Sequence, residues 1–374
     1  MKRTLPANTM DVKRLNRSNT LRAILQSKKI SQPELAQKVN LSWPTVLQNV
    51  KELTALGLVQ EAGMYESTGG RKAKAYAPIR DAKLAAGLDI TQNHISLVLV
   101  NLAGEVLRYT RKKRGFSLDA EYLHDLEVLL MDFIEEDEKE KLLGVGISLP
   151  GIISESGEQL IHSHVLKLYH VETSCFSSCF PWPCAFVNDA NAAGFAELWN
   201  RPEADHLVYL SLSNTVGGAV VNGGKIYAGN NLRAGEFGHM TLVPGGRPCY
   251  CGQKGCADAY LSAKLLAGYT DGNLAEFFDR LRDGDGSAEQ MWQEYMEYLA
   301  IAVNNLRMSF DCEIIAGGYV GAFLEEFGAP LKELLAKRNT FEEDGSYLEW
   351  CSFKLEASAA GAALLLIERF LQEV

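Results

Sequence analysis

The chain has 374 residues, 47% of them hydrophobic and 22% charged, which is enough for two or three packed units and too apolar for a disordered tail. Its net charge of −10 hides an asymmetry: residues 1–80 hold 14 lysines and arginines against 5 acids, a balance of +9, and the remaining 294 hold 23 against 42, a balance of −19. A basic module ahead of an acidic body argues against a uniformly acidic enzyme and for a head that meets phosphates or an anionic membrane, with a merely solvated basic face as the alternative.

The first twenty residues are polar and lack the apolar stretch of a secretory signal, so the eight cysteines are expected in the reducing cytoplasm. The longest apolar run, Ala357 to Ile367, is about half of what a spanning helix needs, and no membrane insertion is expected.

In chain order, residues 19–56 predict three short helices. Leu21, Ile24 and Leu25 give the first an apolar face. The second opens on Ser31, Pro33 and Glu34, a capping box with proline in the first turn, where its missing N–H costs nothing. The third is capped at Ser42 and buries Val46, Val50 and Leu53, leaving Thr45, Gln48 and Lys51 on its outer face. That is how a helix-turn-helix presents a recognition helix to the major groove. Leu58 to Gln60 and Ala73 to Ala77 then read as the β-hairpin of a wing, with Arg71, Lys72 and Lys74 placed for phosphates or the minor groove. A plain three-helix bundle has the same apolar spacing; the basic balance and the wing favour double-stranded DNA.

From Ala82 the pattern becomes alternating strands and helices. Leu84–Ile90, Ile95–Val100 and Val106–Thr110 predict three strands, followed by a helix from about Asp119 to Glu136 and a buried strand at Leu143–Ser148. A second cycle runs through a strand at Ala185–Val187, a helix at Ala190–Leu198, strands at Leu207–Leu212 and Val216–Val221, then long helices. Two α/β lobes fit this better than one large sheet. Glycine pairs in the second cycle, such as Gly217 and Gly218, mark tight turns, with a phosphate cradle as the weaker reading.

The strongest chemical signal is His239 with Cys249, Cys251 and Cys256. Three thiolates and an imidazole suit tetrahedral zinc, against the alternative of unliganded buried thiols. Four protein ligands leave no open position for a water, which makes the expected Zn2+ structural. Cys175, Cys179 and Cys184 are spaced more loosely and are expected in core or loop.

The segment Asn188 to Glu197, Gly235-Glu-Phe-Gly-His239 and the Cys249 to Cys256 loop resemble, in that order, the sugar-site and zinc motifs of the ROK family of repressors and sugar kinases. Gly146 to Gly151 is similar to that family's glycine-proline loop beside the sugar, and Ile315 to Gly318 to its adenosine-side motif. The resemblance covers essentially the whole chain and implies an α/β fold: an N-terminal winged helix-turn-helix followed by a two-lobed, actin-like (RNase H-like) ATPase or sugar-kinase body. The implied units are a DNA-binding head at 1–80, a first lobe at 81–187 completed by a C-terminal helix at 357–374, and a second lobe at 188–356. The resemblance further implies sugar contacts from Asn188, Asp189, Glu236, His239 and Asp258, with Asp189 matching the base that deprotonates the sugar hydroxyl in the kinases.

Three departures from the family pattern decide the expected function. Where the kinases carry a glycine-rich phosphate loop, this chain has Asp89 to Asn93, and a second glycine loop is replaced by Ser213, Asn214 and Thr215. Phosphoryl transfer rests on positioning and charge neutralisation, so catalysis is not expected and Asp189 becomes a hydroxyl acceptor. Asp258 stands where the family has a glutamate, one methylene longer. The resulting expectation is a sugar-responsive repressor of carbohydrate genes, a homodimer or homotetramer that binds an operator and a small sugar or sugar phosphate. Two alternatives are an active hexose kinase that also regulates transcription, and a repressor answering to a sugar-transport protein.

Overall fold

The computed structural model describes residues 9–64 and 74–374. Arg71 and Lys72, expected on the wing, lie outside the described residues.

The head is built from helices Thr9–Leu25, Gln32–Val39 and Trp43–Ala55, with strand Lys74–Pro78 paired antiparallel to both Val59–Met64 and Ile30–Ser31. The capping box forms as expected: the Glu34 backbone N–H donates to Ser31 Oγ, and Glu34 Oε2 accepts from the Ser31 backbone N–H at 2.9 Å. Leu21, Ile24, Leu35 and Leu53 are fully buried, each contributing about 1.5–3 kcal/mol of transfer free energy. Two buried polar pairs fix the packing angles: Asn49 Nδ2 donates to Thr20 Oγ1 at 2.9 Å, and Gln32 Nε2 to the Tyr76 hydroxyl at 2.8 Å.

Two local expectations are corrected. The first helix starts at Thr9 rather than near 19; its added turns expose Met10, Val12 and Leu15 and so carry no apolar periodicity. Ser42 is the N-cap residue of the third helix but makes no side-chain cap, because its hydroxyl is hydrogen-bonded to Thr45 Oγ1 at 2.9 Å.

The body holds two five-stranded sheets. In the first, Cys184–Asn188, Leu142–Leu149 and Leu84–Ile90 run parallel, and His94–Asn101 and Val106–Lys113 continue antiparallel. The second places Val216–Asn222 and Lys225–Ile226 antiparallel on one side of His206–Leu212, with Glu313–Gly317 and Leu348–Trp350 parallel on the other. A small sheet of Ile152–Ile153, Gln159–Ser163 and Leu168–Glu172, not anticipated from the sequence, is inserted after strand Leu142–Leu149.

Helix Ala120–Phe133 covers one face of the first sheet through Tyr122, Leu126 and Leu130. Helix Ala357–Glu373 packs between that sheet and helix Asp189–Trp199, in van der Waals contact with both. The contact is closer than a side chain allows: a Cβ on Gly361 would lie 1.7 Å from the Ala192 carbonyl oxygen, and one on Gly87 would lie 1.9 Å from that of Ala359.

The far end of the same helix holds the head. Arg17 Nε donates to the Val374 carbonyl at 2.7 Å, the Ser18 hydroxyl donates to the Leu371 carbonyl, and Arg22 forms a two-pronged pair with Glu368 at 2.8 and 2.9 Å. Apolar residues of head and helix join in one continuous core containing Leu21, Ile24, Leu371 and Val374.

Candidate functional site

The site forms where the two sheets meet. Strand Cys184–Asn188 ends in Asn188, which caps the next helix: its Oδ1 accepts the Asn191 N–H at 2.9 Å, and its Nδ2 donates to the Gly151 carbonyl at 2.9 Å. Asp189 is thereby set in the first turn of an 11-residue helix, at its positive end, facing a cavity of about 680 Å3. Burial, followed by the neighbouring charge of Asp89, pushes the Asp189 carboxyl up to about 7. Asp89 is itself pushed up to about 6 by burial, although it accepts a hydrogen bond from the Ser148 hydroxyl.

Glu236 and His239 reach the cavity from the side of the second sheet, on the loop that begins at Gly235. Gly235 has φ of +88°, and a Cβ there would lie 2.2 Å from the Gly218 carbonyl oxygen, so only glycine lets this loop lie flat on strand Val216–Asn222. Asp258 is not among the residues that line this cavity, and its Oδ1 accepts the Val216 N–H at 2.7 Å. The shorter aspartate thus anchors the strand that carries the loop.

His239, Cys249, Cys251 and Cys256 converge, their ligand atoms all lying within 4.8 Å of one another. Cys251 Sγ and Cys256 Sγ are 3.8 Å apart, the edge of a tetrahedron with metal–sulfur bonds of about 2.3 Å. His239 turns Nδ1 toward Cys249 Sγ at 4.0 Å while its Nε2 meets the Tyr250 hydroxyl at 3.3 Å, which fixes the ring for ligation through Nδ1. The donor set fits a metal ion, and the loop that holds it also holds one wall of the cavity. Cys175 in the one-turn helix Ser174–Ser177, Cys179 just after it and Cys184 at a strand start are half-buried, and burial pushes the Cys184 thiol up to about 12.

A second, much smaller space of about 60 Å3 lies between the lobes beside Asp89, Ser213, Asn214, Thr215, Gly318 and Tyr319. The turn after Asp89 is closed by Thr91, whose hydroxyl donates to the His94 carbonyl at 3.0 Å, and none of residues 91–93 has a positive φ. The Arg111 guanidinium lies 4.9 Å above the Tyr319 ring at the same place.

On the head, Gln48 and Lys51 are exposed and Thr45 is half-buried, all on the outer face of helix Trp43–Ala55. Gln48 Nε2 donates to Glu52 at 2.7 Å, and Glu52 is also paired with Arg17. Lys74 is exposed on the wing and paired with Glu61 at 2.7 Å. Trp43 and Leu47, 47% and 46% exposed, share this face and were not anticipated, since apolar residues on a recognition helix read as core.

The fold and these sites define a winged-helix head on a two-lobed body of the sugar-kinase type. Residues 85–369 match the ROK family model and residues 15–60 match a winged helix-turn-helix DNA-binding model, so the chain belongs to the ROK family. It is 29% identical to a xylose repressor of Caldicellulosiruptor bescii, over 88% of this chain and 89% of that one, and 25% identical to a xylose repressor of Bacillus spizizenii, over 97% of each. An N-acetylmannosamine kinase of Escherichia fergusonii is 28% identical over 74% of this chain and 96% of its own. The crystal structure of a ROK family transcriptional regulator, a homologue of the E. coli Mlc protein, superposes with a TM-score of 0.72 over 97% of both chains at 21% identity. A Streptomyces griseus ROK glucokinase superposes with a TM-score of 0.61 over 75% of this chain and 98% of its own, at 23% identity. No helix among the described residues is long and apolar enough to cross a membrane.

Proposed function

We propose that this chain is a sugar-responsive DNA-binding repressor of carbohydrate-metabolism genes, acting on DNA in the cytoplasm as a homodimer or dimer of dimers. Its units are a head at 1–80, a first lobe at 81–187 closed by residues 357–374, and a second lobe at 188–356. The observation that carries the reading is the helix Ala357–Glu373. Its first turn borders the interlobe space beside Asp189, and its last turn holds the winged helix through Arg17, Ser18 and Arg22. Seventeen helical residues make a rod of about 25 Å from cleft to head.

A sugar seated on Asn188, Asp189, Glu236 and His239 favours one interlobe angle. The rod and the packed helix Asp189–Trp199 carry that rotation to the head and change the spacing of two heads on a palindromic operator. Only a ligand with different affinity for the two arrangements can do this. The relatives named xylose repressors make xylose the first sugar to test. Thr45, Gln48 and Lys51 face the major groove, and Lys74 reaches backbone phosphates or the minor groove.

Zn2+ fits the His239, Cys249, Cys251 and Cys256 set and would act structurally, holding the loop on which His239 and Tyr250 stand. Kinase activity is absent in this reading, because residues 91–93 of the first loop have no positive φ and Ser213, Asn214 and Thr215 stand where the kinases carry a second glycine loop. Asp189 keeps a base's position, so turnover of ATP with a hexose, lost in Asp189→Ala, is the result that would promote the kinase alternative. A repressor that binds no sugar but forms a stable complex with a sugar-transport protein would replace the effector half of the reading. The direct test is gel retardation of the DNA upstream of the gene at low salt, with and without a sugar panel; absence of retardation refutes the reading.

A further inference from the structure

The cavity of about 680 Å3 carries two chemistries. Its floor offers Asn188, Asp189 and Glu236, groups that suit sugar hydroxyls. A second wall comes from the small inserted sheet and from the loop before Gly235: His162, His164 and Arg233. The His162 and His164 rings are 4.0 Å apart, and His162 stacks on Tyr169 at 4.6 Å, so the pair is held in place rather than waving in solvent. His162 Nε2 is buried without a hydrogen-bond partner.

Arg233 is exposed and makes no ion pair or hydrogen bond among the described residues, in contrast to Arg22, paired with Glu368, and Arg247, paired with Glu294. Glu155 and Glu236 line the same cavity, yet neither forms an ion pair with it. Burial, with the charges of His164, Arg233 and His170 added, holds the His162 imidazole below its ordinary value, so the Arg233 guanidinium lies within electrostatic reach of the ring. A neutral sugar satisfies the floor and leaves His162 Nε2 and the Arg233 guanidinium unmatched. A guanidinium beside two imidazoles is the donor set that recognises an oxyanion.

We propose, resting on the reading of this cavity as the effector site, that the effector is an anionic sugar whose phosphate or carboxylate is bound by Arg233, His162 and His164. The hydroxyls of its ring meet Asn188, Asp189 and Glu236. The two sources of the anion, a sugar phosphate and a sugar acid, share this chemistry and are separated by the test.

The experiment is calorimetry on the full-length protein with matched probes: xylose, glucose and N-acetylmannosamine, each against its terminal phosphate, with glucuronate as the carboxylate arm and inorganic phosphate as control. One anionic member is expected to bind at least about tenfold more tightly than its neutral parent, and Arg233→Ala is expected to weaken that member by about 10- to 100-fold while leaving the parent unchanged. Arg233 has no packing role, so this variant folds. Tighter binding by a phosphate identifies that source, and by glucuronate the other. A neutral sugar that binds as tightly as its anionic partners, with Arg233→Ala changing neither, overturns this proposal and leaves the sugar-responsive repressor intact. Failure of every probe to bind overturns both.

Discussion

Replacing Asp189 by asparagine removes one proton site and almost no volume, which makes the electrostatic cost of this half-buried carboxylate measurable. Its pKa rises from 3.8 in the unfolded chain to about 7 in the folded one, through burial first and Asp89 second. A carboxyl raised in this way holds its proton over a pH range where the unfolded chain has lost it. Its contribution is therefore full below about pH 4 and is lost as pH rises through about 7. A tenfold difference in proton affinity between folded and unfolded chain is worth about 1.4 kcal/mol, so the stability of wild type relative to Asp189→Asn should fall by roughly 2–4 kcal/mol between pH 4 and 7 and then level off. Urea melts of both proteins at constant ionic strength, in half-unit steps of pH, read the difference with every titrating group cancelled except those coupled to Asp189, Asp89 foremost among them. Curves that stay parallel within about 0.5 kcal/mol refute the claim that this carboxylate sits desolvated beside Asp89.

Gly361→Val should lower stability by about 3 kcal/mol or more, seen as a reduced urea midpoint, because its Cβ would lie 1.7 Å from the Ala192 carbonyl. Arg22→Ala should cost only about 1 kcal/mol of stability yet weaken the response of operator binding to sugar, since the Arg22–Glu368 pair belongs to the junction of head and rod. Cys251→Ser, or exhaustive chelation, should release one metal ion per chain by elemental analysis and lower the melting temperature. Lys74→Ala should weaken operator binding evenly across sequences and reduce the slope of affinity against salt by about one.

Much of this architecture is written in local patterns. The strands from Leu84 to Thr110 are legible because both of their faces are apolar or alternate cleanly. The capping box at Ser31 and the tight spacing of Cys249, Cys251 and Cys256 are likewise local. What escapes is set by tertiary contact. The inserted sheet at 152–172 is built of strands of two to five residues, too short to show a period. The buried Glu197, which accepts the Ser352 and Phe353 N–H groups at 2.7 and 3.0 Å, looks like part of a sugar motif until the fold brings residues 150 positions away onto it. Asp258 matched a sugar position by its place in the motif, and only the structure reveals that the Val216 N–H claims it. His162 and Arg233 are some 70 residues apart and share no motif, so their meeting in one cavity is visible only in three dimensions.

Regulation by sugar requires thermodynamic coupling between the cavity and the head, and coupling is reciprocal. The most direct measurement is therefore operator affinity by fluorescence anisotropy at fixed salt, titrated with and without saturating sugar, alongside sugar affinity measured with and without operator. Both affinities are expected to shift by the same factor, about 5-fold or more, and the shift should disappear in Asp189→Asn and shrink in Arg22→Ala. Operator affinity that is unchanged at saturating sugar, with both ligands demonstrably bound, would contradict the coupling.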